Sequence, residues 1–147
     1  MIKPLIYNSD IKEISKKASI SFDEMALLSQ AKLTESRIQQ ACKKIFEMEF
    51  GKGFVHIDNG GKMGIAQRTK KKLDGVWSGF PDVILLGKNG KIAFVEFKRI
   101  GAGKEIEPKE HQLEIHQFLR NSGFKVYVCN NTVYFKNVIC KEFREYP

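Results

Sequence analysis

The segment that most constrains this chain is "GFPDVILLGKNGKIAFVEFKR", residues 79–99. Two apolar runs flank the turn-prone "GKNG", so the stretch predicts a β-hairpin. Three charged residues, Asp82, Glu96 and Lys98, nevertheless lie where such a hairpin should be buried. Residues two apart on a strand share a face, so Glu96 and Lys98 point one way and Ala93, Val95 and Phe97 the other. The place of Asp82 depends on register. If Gly87 pairs with Lys91, the loop is Lys88-Asn89-Gly90, and Asp82 falls opposite Glu96 on the same face. A two-residue Asn89-Gly90 loop instead pairs Asp82 with Phe97 and separates the carboxylates. The sequence permits both registers, and only the first makes chemical sense.

In that first register the two β-carbons are about 5 Å apart. Carboxylates so close repel, and both stay ionised at neutral pH only with a cation between them. Oxygen ligands completed by water suit Mg²⁺ or Mn²⁺. Lys98, one pleat further on, is within reach of a water or phosphate held by such an ion. The competing explanation is an internal ion cluster in which Lys98 neutralises both acids. Desolvation offsets the attraction in buried clusters, which makes them poor contributors to stability.

A chain of 147 residues fits one domain with a core of its own. Its 25 Lys+Arg against 17 Asp+Glu leave a formal charge of +8, which favours a polyanion such as nucleic acid, or an anionic membrane surface. Cys42, Cys129 and Cys140 form no CxxC pair and read as buried small hydrophobes in a reducing compartment. No apolar run approaches a membrane span, and the start lacks a signal-peptide core. The expected location is the cytoplasm or the nucleoid.

Residues 1–33 read as an N-terminal helical extension, with Ser21 and Glu24 as a capping box for a helix over residues 22–31. Thr34 can cap a second helix carrying an apolar stripe of Ile38, Ala41, Cys42, Ile45 and Phe46. Glu35 lies in its first turn, where the helix dipole favours a carboxylate. "GFVHIDNGG" reads as a strand and turn, and "KMGIAQRTKKKLDGVWSG" as a basic surface loop. Pro108 suits the start of a helix running to Asn121, closed by Gly123, with Leu113, Ile115, Phe118 and Leu119 facing the core. "FKVYVC" and "TVYFKN" alternate like strands, while the end of the chain fits a strand end or short helix. The expected fold is α/β, a sheet with helices on its faces.

"PD" at Pro81-Asp82 followed by "EFK" at Glu96-Phe97-Lys98 resembles the PD-(D/E)xK nuclease superfamily. With "GFPDVILL", "KIAFVEFKR", "HQLEIHQFLRNSGFKVYVC" and "TESRIQQACKKIF", the chain resembles its VRR-NUC branch from about Thr34 to Asn130. The resemblance implies a restriction-endonuclease-like core with a mixed sheet, placed here at residues 34–147. It implies a site of Glu35, Asp82, Glu96, Lys98 and Gln112. Asp82, Glu96 and the Phe97 carbonyl would hold Mg²⁺ or Mn²⁺, with Glu35 reaching it through water. Lys98 would orient or deprotonate the attacking water, and Gln112 would hydrogen-bond near the metal or phosphate.

Phosphodiester hydrolysis needs a Lewis acid and an activated water, and no Ser/His or Cys/His nucleophile is visible. His111 and His116 are five apart, so a helix splays them; both read as surface or helix-packing residues. His56, on a strand, is not expected to bind metal. Arg68, Lys70, Lys71, Lys72, Arg99, Lys104 and Trp77 are candidate nucleic-acid contacts, while Phe80 reads as core. Gly75, Ser78 and Gly79 would let a DNA backbone come close. The expected activity is metal-dependent endonucleolytic cleavage of branched DNA by a homodimer. The alternatives are a nuclease on linear DNA or RNA, and a noncatalytic binding module of the same fold.

Overall fold

The computed structural model describes residues 33–58, 63–101 and 104–144. The helix expected at residues 22–31 lies outside them. Helix α1 is Glu35–Phe50. Thr34 caps it, its hydroxyl accepting the Arg37 N–H at 3.2 Å. The stripe at spacings of three and four is the buried one: Ile38, Cys42 and Phe46 are wholly enclosed, Ala41 and Ile45 half-buried.

Strand β1 is Phe54–His56, followed by helix α2, Ile65–Leu73. The hairpin strands are β2, Val83–Leu86, and β3, Ile92–Phe97. Gly87 donates its N–H to the Lys91 carbonyl at 2.8 Å across Lys88-Asn89-Gly90. Asn89 and Gly90 take the left-handed conformation, φ 57° and 75°, which Asn and Gly adopt at least cost. The three-residue loop is therefore the one formed. A short antiparallel ribbon follows, β4 (Ile100–Gly101) with β5 (Lys104–Glu105). Helix α3 is Glu110–Asn121 and strand β6 is Lys125–Cys129.

The four strands lie in the order β1-β2-β3-β6. β1/β2 and β2/β3 are antiparallel, and β3/β6 is parallel, with Glu96 beside Val128. A parallel pair needs a crossover, which α3 supplies. Val83, Leu85, Ala93, Val95 and Phe97 pack on α1 and the C-terminal helical segment; Phe94 and Val126 pack on Leu119 of α3. The fold is α/β, a mixed four-stranded sheet flanked by helices. Each large side chain fully enclosed there, such as Phe46, Phe97 or Phe135, is worth about 1.5–3 kcal/mol of burial. Cys42, Cys129 and Cys140 are free thiols buried in this same core. Burial, with the neighbouring thiols, pushes Cys42 well above its usual range. Among the described residues no helix is long and apolar enough to cross a membrane.

Three expectations need correcting. The basic stretch expected to be a loop contains α2. Its sequence "IAQRTKKKL" is made largely of good helix formers with no Gly or Pro. None of its residues is buried: Ile65, Thr69 and Leu73 fall at helical spacing, but on an exposed face interrupted by the lysine run. "TVYFKN" is helical, not a strand. Helix α4, Thr132–Tyr134, continues into a π-helical turn, Phe135–Ile139, and a 3₁₀ turn, Cys140–Phe143. The Asn131 side chain accepts the Tyr134 N–H at 2.7 Å and starts it. Tyr134, Phe135, Ile139, Cys140 and Phe143 then reach the core at helical spacing, so packing overrides β-propensity. On α3, Leu113 and Phe118 are 43% and 54% exposed. The inward face is Gln112, Ile115, His116 and Leu119.

Candidate active site

The register Val83↔Val95, continued by one residue, sets Asp82 opposite Glu96. Just before β2, Asp82 accepts the Phe97 N–H on Oδ2 at 2.8 Å. Its carboxyl is pushed up from 3.8 to about 6, first by burial and then by the negative charge of Glu96, with Glu35 adding to the rise. The Phe97 N–H and the Lys98 ammonium oppose the shift. Asp82, Glu96 and the α1 N-terminus therefore share one electrostatic neighbourhood. His56 Nδ1 lies 2.9 Å from Gln39 Nε2 and 3.1 Å from the Asp82 carbonyl oxygen. It touches the frame that carries Asp82 and makes no described contact with the carboxylate.

Glu96 is 2% and Lys98 8% exposed. Lys98 Nζ is 3.5 Å from Glu96 Oε1 and 3.1 Å from Gln112 Oε1. Gln112 Nε2 donates to Glu96 Oε1 at 2.7 Å, while its oxygen also accepts the Lys109 N–H at 2.8 Å. One amide thus satisfies an orphan donor at the start of α3 and bridges the acid to the amine. Gly79 holds the approach to Asp82 against the same turn. Its φ is +85°, and a β-carbon there would lie 2.5 Å from the His111 ring. The space beside Gly79 is therefore filled by α3, whereas that beside Gly75 is open.

Glu35, Asp82, Glu96, Lys98 and Gln112 are thus gathered at one end of the sheet. His111 is exposed, but His116 is fully buried, with Nε2 3.9 Å from Glu96 Oε2. The sequence signal for His116 is its place four residues after Gln112, on the same helix face. Arg68, Lys70, Lys72 and Arg99 are exposed and Lys71 is half-buried. Trp77, 46% exposed, stands edge-on to Phe118 with ring centroids 5.2 Å apart. Phe80 packs on the core at Phe94, 5.4 Å away. Lys104 opens β5.

The raised Asp82 value has a consequence for stability. Below the unfolded value of 3.8 Asp82 is protonated in both states. The stability it contributes there is lost as pH rises through about 6. In metal-free protein at pH 7, Asp82→Asn is expected to be more stable than the parent by about 1 kcal/mol, allowing for partial exposure to water. The difference should vanish below the unfolded value. Urea denaturation at the two pH values checks this, and no difference at pH 7 would contradict it.

The model of the VRR-NUC domain matches residues 33–132. A solved structure described as a VRR-NUC domain protein is 18% identical with a TM-score of 0.58, covering 78% of this chain and 93% of its own. Another, described as a VRR-NUC domain, is 26% identical with a TM-score of 0.52, covering 73% and 96%. No curated protein matches the chain. The family match spans the elements that carry Glu35, Asp82, Glu96, Lys98 and Gln112, and the fold is of nuclease type: this chain belongs to the VRR-NUC family.

Proposed function

We propose that this protein is a divalent-metal-dependent endodeoxyribonuclease that cuts branched or otherwise structured DNA as a homodimer in the cytoplasm. The observation that carries this reading is the meeting of Asp82 and Glu96, from neighbouring hairpin strands, beside an ammonium tethered by Gln112. Glu96 Oε2 is buried and has no hydrogen-bond partner among the described residues. A carboxylate oxygen left so is costly unless a cation or a hydrogen-bond donor answers it. Among the described residues, no three His, Cys, Asp or Glu side chains are grouped tightly enough to hold an ion alone. Two carboxylates, a backbone carbonyl and water are what Mg²⁺ or Mn²⁺ accepts, so the residues present fit the ion.

Asp82, Glu96 and the Phe97 carbonyl would hold the ion, with Glu35 reaching it through water. When bound, it supplies Lewis acidity at the scissile phosphate. Lys98 Nζ, as an ammonium, would orient the attacking water and stabilise charge gathering on the phosphate. Gln112 keeps Nζ and the Glu96 carboxylate in fixed relation. Paired active sites, one from each copy, would cut two strands together.

DNA would run along a groove of about 680 Å³ lined by Arg68, Lys71, Lys72, Trp77, Ser78 and Ile115. Ile115, on this groove, follows Gln112 by one helical turn of α3. Lys70, Arg99 and Lys104 would add phosphate contacts. Replacing Lys70, Lys71 and Lys72 together with Ser is expected to reduce the slope of log affinity against log salt by about 2–3. An unchanged slope would make these lysines solvated surface only.

Cleavage of four-way junctions, flaps, duplex, single strands and RNA with Mg²⁺ or Mn²⁺, using Glu96→Ala as control, tests the whole reading. Preferential metal-dependent cutting of branched DNA supports it. Cleavage confined to linear DNA or RNA, or none under any condition, overturns it.

A further inference from the structure

Beyond Gln112, α3 turns a second polar side chain towards Glu96. His116 stands four residues further on, on the same helical face. It is fully buried, yet among the described residues neither Nδ1 nor Nε2 has a hydrogen-bond partner. Its Nε2 lies 3.9 Å from Glu96 Oε2, itself buried and unpartnered. The other oxygen, Oε1, takes the Gln112 amide at 2.7 Å and faces Lys98 Nζ at 3.5 Å. Burying an imidazole without partners is unfavourable. An aliphatic side chain of similar size would fill the position between sheet and helix without that cost. The arrangement becomes intelligible when the two unmet groups answer one another.

We propose that His116 is a positioning residue for Glu96, donating its Nε2–H to Oε2 while Gln112 holds Oε1. The inference rests on the metal reading above. Closing the gap by about 1 Å produces an ordinary hydrogen bond. With a donor on each oxygen, the carboxylate plane is set before the cation arrives. Ligand carboxylates are themselves hydrogen-bonded, and losing such outer partners weakens metal binding about 10–100-fold.

Calorimetric titration of Mn²⁺ into the full chain tests this in the parent, His116→Leu and His116→Gln. His116→Leu keeps the volume and should remain folded with a cooperative urea transition, yet bind Mn²⁺ about 10–100-fold more weakly. His116→Gln presents an amide N–H towards Oε2 and should recover affinity to within a few fold of the parent. Parent-like affinity in His116→Leu, or no recovery in His116→Gln, reduces His116 to packing and overturns the proposal. If the parent takes up no Mn²⁺, the metal reading and this inference fall together. If the parent binds and His116→Leu binds equally, this inference alone falls.

Discussion

The Glu96→Gln protein is expected to bind a four-way DNA junction about as tightly as the parent and to cut it at least ~1,000-fold more slowly. Glutamine keeps the volume and one carbonyl oxygen in the pocket shared by Gln112, Lys98 and His116. What it removes is the negative charge. If the cation supplies several kcal/mol of transition-state stabilisation, losing its ligand costs a factor of this size. Binding should persist because the proposed phosphate contacts lie on α2 and around the groove. Lys98 loses its ionised partner at 3.5 Å, so urea denaturation must accompany the kinetics to separate misfolding from lost chemistry. Parent-like cleavage by a folded Glu96→Gln protein would refute the assignment.

For Lys98→Met the loss should fall on turnover. A decrease of about 100-fold or more is expected, with Mn²⁺ affinity within a few fold of the parent, because an ammonium is no ligand for a cation. Methionine fills the volume of the stem without the Nζ that lies 3.1 Å from Gln112 Oε1. The pH profile should also move. The Lys98 charge favours ionised Asp82, so without it Asp82 protonates at higher pH and the acid limb shifts upward. Single-turnover cleavage and Mn²⁺ titration across pH decide the matter. A variant that loses metal affinity and keeps its turnover at saturating metal would contradict the role given to Lys98.

The hairpin was legible because its signals are local. Two apolar runs around the turn-prone Lys88-Asn89-Gly90 announce it, but they permit two registers, and the structure forms the one with Val83 opposite Val95. The Thr34 cap and the stripe on α1 were legible for the same reason. Helix α2 was not: Ile65 and Leu73 stand on one face two turns apart, but both are exposed and the lysine run between them reads as loop. The C-terminal segment carries the β-branched and aromatic residues that favour a strand, and only its docking against α1 and β3 reveals helical spacing. The inward face of α3 was legible in part: Ile115 and Leu119 lie on it as expected, with Gln112 beside them. Leu113 and Phe118 face outward, while Gln112 and His116 take inward positions, where a buried acid needs polar neighbours.

Residue order and local stereochemistry alone determined which side chains share a strand face, where α1 begins, and that a carboxylate and an ammonium must be accommodated on the inner side of β3. Tertiary structure decided what answers them. It brought the first turn of α1 close enough for Glu35 to influence Asp82. It also laid α3 across the sheet so that Gln112 bridges Glu96 and Lys98 and His116 reaches within 3.9 Å of Glu96. Periodicity assigns a side chain to a face of its own element. Which faces meet depends on how the parallel crossover buries the apolar surface of every element at once, and no local stretch contains that information.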